Sequence, residues 1–582
     1  MAGIYRYVVG SILIHLVLGG PIVHLQAGDA EGATDGTDSR VGVWRGIPFA
    51  APPLGDLRWR PPQPADKWYP NVLDATQYKD GCVMGDAPFE GLTQMEGTSE
   101  DCLYINVFAP LPISEPLKPV FLWIHGGGFQ GEDAAVLNGT YDVSHSNGSM
   151  ILVTFNYRVN VFGFAASTLL RGRDPEGGTG NYGILDQRFA MQWVRDNIAE
   201  FGGDASRVTI VGQSAGGDSV VNHMVRRKSH GLFAGAVIMS GAFLPTGGPH
   251  LPGDKYSIDG LTPGNYTVED QDPFFMAMME RANCTDVDCL LQLSATDLFK
   301  IRISPDRVGP GTSWQWVPQI DGVDLVANLP TLVMRGDLAP VPVLVGSNAE
   351  DVSCGLGNQS CDPEACTESD FRELCTSWWG FNATEADRLV HLYGNEAPRF
   401  GLNVSKWYWA AHHASTDCQA TCPSRRMARW VTQAGQPAFW YYWKYAPGPP
   451  TVVGAWHGYE LPYLFHQGVL PNASDWSDKV VSYWTSFVTS GNPHVPGLTS
   501  WPKYTPGKGS AMIFHDDMTT TVEDHFFEGK CSFWDDHFNE MWGLLPQTVD
   551  GGHSSEAYIL TAVSPLRFLP IVLLLVAPRH AA

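Results

Sequence analysis

The sequence predicts an α/β protein with a central, mostly parallel sheet covered by helices on both faces. Three observations lead there. Short, wholly or mostly apolar runs recur at residues 120–124, 150–155, 208–211, 236–239 and 341–345, the pattern of strands buried on both faces. Within 186–198, Phe189, Met191, Trp193, Val194 and Ile198 approximate one helical face. No internal repeat is visible, and no long Ser/Gly linker divides the chain between its two ends. Length alone would allow about four domains in 582 residues, yet the middle of the chain reads as one.

The remaining composition narrows the class. Hydrophobic residues make up 44% and charged residues 17% of the chain, a globular balance. With 61 acidic and 37 basic residues the formal charge is −24. Such a surface repels phosphates, which argues against nucleic acid or a polybasic membrane patch as partner.

The ends read as addresses. Residues 1–27 hold one basic residue, Arg6, then an apolar run over 8–18, and are expected to be a signal peptide cut after Ala27. Residues 28–42 are then expected to be a flexible lead, since the stretch from Gly28 has little strand propensity. Residues 43–545 form the expected single domain. Residues 546–582 read as a spacer and a GPI-attachment signal, with small residues at Gly551, Gly552, Ser554 and Ser555 and an apolar run over 568–577. That run is too short to span a bilayer. Glycosylation sequons at Asn138, Asn147, Asn265, Asn283, Asn358, Asn382, Asn403 and Asn472 fit a secreted or cell-surface protein, and 11 cysteines fit an oxidising compartment. Their odd number leaves at least one without an intrachain partner. Their spacing does not fit a paired zinc site, and no metal is expected.

The chemistry lies at strand ends, where α/β sheets place their sites. The run 208–211 leads into Gly212-Gln-Ser214-Ala-Gly216, followed by a helical pattern through Val220, Val221 and Met224. This is a G-x-S-x-G nucleophile elbow: a serine on a strained strand-to-helix turn with small neighbours. The run 120–124 leads into His125-Gly-Gly127-Gly128-Phe129. Consecutive glycines free backbone amides to converge on an oxyanion, so Gly127, Gly128 and Ala215 are the expected donors.

With both motifs in this order the chain resembles the type-B carboxylesterase and cholinesterase family of α/β-hydrolases. Segments 46–60, 99–106, 181–188 and 196–204 match it as well, and the match runs from about 43 to 540. The resemblance implies an α/β-hydrolase fold and cleavage of a small-molecule carboxylic ester through an acyl-enzyme, without cofactor. It implies Ser214 as nucleophile, His457 in Trp456-His-Gly-Tyr-Glu460 as base, and Asp351 in Gly346-Ser-Asn-Ala-Glu-Asp351 as acid, with Glu350 as the alternative acid. It pairs Cys82 with Cys102, Cys284 with Cys289 and Cys422 with Cys531, and Arg58 with Glu100 and Arg158 with Asp186. Cys354, Cys361, Cys366, Cys375 and Cys418 have no counterpart; two local bridges and one leftover are expected among them.

Three departures bear on the ester. The tryptophan of the cholinesterase choline site is missing from 83–101, the acidic residue before the nucleophile is Gln213, and the aromatic three residues after the acid is Cys354. Quaternary ammonium recognition needs an aromatic face, so a carboxylesterase is expected before a cholinesterase. A third reading, a cell-surface adhesion protein on the same fold, is the weakest, because such relatives have usually lost the serine or the histidine.

Overall fold

The computed structural model describes residues 20–84, 97–242, 267–301, 316–351, 362–396, 404–446, 454–469 and 471–541. Its strands are β1 (Ile22–Leu25), β2 (Gly28–Glu31), β3 (Ala33–Thr34), β4 (Val41–Pro48), β5 (Val72–Asp74), β6 (Gly81–Cys82), β7 (Thr98–Ser99), β8 (Tyr104–Pro110) and β9 (Lys118–Ile124). They continue with β10 (Ile151–Phe155), β11 (Gly203–Gln213), β12 (Gly235–Met239), β13 (Val343–Asn348), β14 (Ala438–Trp443), β15 (Ala511–Phe514) and β16 (Thr520–Glu523). Among the described residues the main sheet has eleven strands in the order β16-β15-β14-β13-β12-β11-β9-β10-β8-β4-β3. The pairs from β10 through β15 are parallel, and the antiparallel pairs lie at the two edges.

All five apolar runs form strands of this sheet. Every residue of β10, β12, β13 and β14 is buried, which requires cover on both faces. The cover includes α1 (Tyr182–Asn197), α2 (Ala215–Val225), α3 (Lys406–Thr416), α4 (Cys422–Gln433), α5 (Ser474–Ser490) and α6 (Glu528–Met541). Helix α2 packs on β9, β11 and β12, α4 on β13 and β14, and α5 on β9 and β11. Every residue of α2 is buried, as a helix starting inside the core must be. No helix among the described residues is long and apolar enough to cross a membrane.

The expected disulfides Cys82–Cys102, Cys284–Cys289 and Cys422–Cys531 are formed. Cys366 is also bridged; Cys354 and Cys361 lie outside the described residues. Cys375 remains a buried thiol, pushed up to about 12 by burial, so the second expected local bridge does not include it. The expected ion pairs are present as well. Arg58 meets Glu100 at 2.6 Å, partly buried, and Arg158 meets Asp186 at 2.7 Å, fully buried.

The N-terminal expectation is corrected. Residues 28–42 are not a flexible lead. β1 and β2 form an antiparallel hairpin, Ile22 opposite Glu31 and Leu25 opposite Gly28, and β2 also pairs with β5. Val23, Leu25 and Ala30 are buried, and the Trp68 indole donates to Asp29 O at 2.7 Å. Pairing and burial contributed by distant residues override the poor strand propensity of Gly-Asp-Ala-Glu. A cut after Ala27 would sever this hairpin at its turn.

One buried charge cluster fixes the loops that the site uses. Glu350 Oε2 accepts from Ala455 N at 2.7 Å, and Glu350 Oε1 meets His413 Nε2 on α3 at 3.2 Å. His413 Nδ1 meets Glu396 at 3.0 Å, and Glu396 pairs with Lys530 on α6. Burial alone would lower the His413 pKa, but the two carboxylates outweigh it and raise it to about 9. A histidine with a raised folded pKa contributes stability that is present below its ordinary 6.5 and lost as pH rises through about 9. Thermal melts between pH 6 and 10 should therefore show a fall in stability on the order of a few kcal/mol across that window. The fall should shrink in His413→Gln; an unchanged slope would show that the cluster does not carry it.

Candidate active site

Strands β9, β11 and β13 and the segment after β14 end on the same side of the sheet and bring the expected residues together. Ser214 follows β11 directly, with φ 58° and ψ −129°. Non-glycine residues rarely hold such a turn, which costs about 1 kcal/mol or more. It survives here because the surroundings leave no alternative. A Cβ on Gly216 would lie 2.0 Å from Ile124 O, and one on Gly212 would lie 2.3 Å from Gly216 C. The Ser214 amide donates to Met239 O at 2.9 Å, which ties the turn to β12.

The glycine loop after β9 curls beside this elbow. Gly127 and Gly128 have φ of 81° and 62°, and the Gln130 amide donates to Gly127 O at 2.9 Å. The Tyr157 hydroxyl donates to His125 O at 2.9 Å, and its ring stacks on His125 at 4.2 Å. Burial lowers His125 to about 3, so it stays neutral. Among the described residues, the Gly127, Gly128 and Ala215 amides have no protein acceptor. Three donors left open beside a serine can serve an oxyanion.

The acid alternatives separate by geometry. Asp351 Oδ1 accepts from His457 Nδ1 at 2.5 Å, and Asp351 Oδ2 accepts from the Asn348 amide at 2.8 Å. Glu350 points instead into the His413 cluster. The other imidazole nitrogen, His457 Nε2, lies 3.2 Å from Gln213 Nε2, one residue before Ser214. His457 is partly exposed while Asp351 is buried. Burial would lower the imidazole pKa, but the charge and hydrogen bond of Asp351, then Glu460 and Glu132, outweigh it and leave it raised.

Three polar residues were not singled out by sequence. Asn348, the last residue of β13, donates through Nδ2 to Trp456 O at 2.8 Å and to Glu460 Oε2 at 2.5 Å. It therefore binds the acid strand to the histidine segment. Glu460 is fully buried, and burial with the nearby Asp351 charge pushes it up to about 7. Both residues sit inside the motifs that revealed Asp351 and His457, which was the available signal. Glu132 follows the glycine loop and is taken up below; no motif marks it.

The chain is similar to known esterases over most of its length. The family model described as the carboxylesterase family matches residues 19–534. Rat carboxylesterase 1D is 30% identical over 88% of this chain and 92% of its own. Acetylcholinesterase 1 of Caenorhabditis elegans is 28% identical over 92% of this chain and 90% of its own. The crystal structure of Aspergillus niger EstA superposes with a TM-score of 0.73 at 26% identity, covering 89% of this chain and 98% of that one. The chain belongs to the carboxylesterase family and is a serine hydrolase of carboxylic esters on the α/β-hydrolase fold.

Proposed function

We propose that Ser214 is the nucleophile, that His457 takes and returns its proton, and that Asp351 orients the imidazole and balances its charge. Gly127, Gly128 and Ala215 bind the oxyanion of each tetrahedral intermediate, and water then releases the acyl group from Ser214. The observation that carries this assignment is the 2.5 Å contact of Asp351 Oδ1 with His457 Nδ1 beside the strained serine turn. That bond fixes the tautomer in which Nε2, the nitrogen facing Gln213, carries the basic lone pair. No cofactor enters the cycle.

Neutral carboxylic esters are the proposed substrates. Gln213 puts an uncharged amide, not a carboxylate, against His457 Nε2, and the tryptophan of the choline site is missing between Cys82 and Cys102. Cys354 lies outside the described residues and carries no part of this reading.

The proposed setting is extracellular. The sequons at Asn138, Asn147, Asn283 and Asn382 are exposed, as glycan acceptors must be. Asn265, Asn358 and Asn403 lie outside the described residues, as does the side chain of Asn472. The N-terminal signal is proposed to be cut ahead of Ile22, which keeps the hairpin whole. The C-terminal signal at 546–582 lies outside the described residues, and GPI attachment there remains part of the proposal.

Three outcomes are expected. Asp351→Asn should lower kcat by about 10⁴-fold, and Glu350→Gln, which keeps an acceptor for Ala455, by at least about 100-fold less. Reversal of that order would move the acid to Glu350. In an ester panel, 3,3-dimethylbutyl acetate should be turned over at least as well as its isostere acetylcholine; a strong acetylcholine preference blocked by quaternary ammonium ions would establish the cholinesterase reading. Peptide N-glycosidase should lower the mass of protein secreted from animal cells, and a phosphatidylinositol-specific phospholipase C should release it from their surface. Loss of neither mass nor anchorage would remove the extracellular reading.

A further inference from the structure

We infer that Glu132 sets the charge selectivity of the active site, disfavouring esters that carry a negative charge close to the scissile carbonyl. The inference rests on the ester hydrolysis at Ser214 proposed above. A Cβ built on Gly126 would lie 3.1 Å from Glu132 Oε2, 3.1 Å from Ser214 Cβ and 2.9 Å from Gln213 O. The carboxylate oxygen and the serine Cβ thus lie within 3.1 Å of one point at the start of the oxyanion loop, too close for a methyl group to stand between them. Glu132 holds this place at φ 72°, a left-handed conformation uncommon for non-glycine residues. Its Cβ stands 2.9 Å from where a Gly127 Cβ would be, so it is fitted against the loop that supplies the oxyanion donors.

Charged neighbours define how it behaves. Burial, then the adjacent Asp133, push Glu132 up to about 7, while the Gly126 amide and His457 pull it down. Tyr157, packed on the same loop, is raised well above its ordinary value by burial, with Glu132 adding to it. The carboxylate therefore changes charge across the neutral range. When ionised, this half-buried carboxylate repels an anionic substrate group that comes close to it. A neutral ester does not meet this repulsion. The residue offers charge without an aromatic face, so it does not by itself make a choline site.

The test compares 4-nitrophenyl pentanoate with its anionic near-isostere, 4-nitrophenyl hydrogen glutarate, as a ratio of kcat/KM values. His457 must be neutral for either ester to react, so its titration cancels in the ratio, whereas any repulsion from Glu460 persists in Glu132→Gln and is read there. In the wild-type protein the glutarate-to-pentanoate ratio should fall by about 10-fold or more between pH 6 and 8.5 as Glu132 ionises. In Glu132→Gln the ratio should rise toward its low-pH value and lose most of its slope with pH. A ratio that is flat in the wild-type protein, or that keeps its slope in Glu132→Gln, overturns the inference. If Glu132→Gln does not fold, Glu132→Ala is read in its place, since the wild-type profile alone does not separate Glu132 from Glu460. If neither ester is cleaved, the underlying assignment of Ser214 fails instead.

Discussion

The active site depends on a backbone contact with no space to spare. Gly216 lies so close to Ile124 O that no side chain fits between them. That contact presses the start of α2 against the end of β9. It holds the serine turn beside the glycine loop and keeps Ser214 in a φ it would not adopt alone. Because β9 and β11 are neighbours in the sheet, with Gly212 in register with Ile124, nucleophile and oxyanion donors are set by one strand pairing. Loss of that register would dismantle both at once.

The second requirement is electrostatic. One imidazole stands among Asp351, Glu460 and Glu132, and their combined charge raises its pKa despite burial. The protein keeps these carboxylates from acting alike. Asp351 is held by the Asn348 amide and His457, and Glu460 is shielded in the core and pushed up to about 7. Glu350, one residue from the acid, is diverted to His413 and Ala455. Two adjacent acidic residues thus have separate tasks, one facing the base and one binding the loops that carry acid and base.

Much of this was legible in the sequence. Apolar runs gave the central strands, because strands buried on both faces favour apolar residues along their length. The two glycine motifs revealed the serine and the oxyanion loop, since such close approaches admit few residue types. The family pattern favoured Asp351 and kept Glu350 as the alternative, and only the fold shows that Asp351 is the carboxylate that meets the imidazole. The β1–β2 hairpin was missed for a related reason: four-residue strands with Gly, Asp and Ala draw their stability from β5 and Trp68, not from their own composition. Glu132 was invisible because its placement depends on the curl of a loop. The last two strands, β15 and the edge strand β16, are only four residues each and were not read from the sequence.

The most direct test of the account is covalent labelling of the nucleophile. The protein is treated with diisopropyl fluorophosphate, digested and mapped by mass spectrometry. One phosphoryl group per chain is expected, on the peptide containing Ser214, with labelling slowed by at least about 10³-fold in His457→Ala. A protein that stays unlabelled while folded, or that carries the group on another residue, would contradict the assignment of Ser214 on which the site has been built.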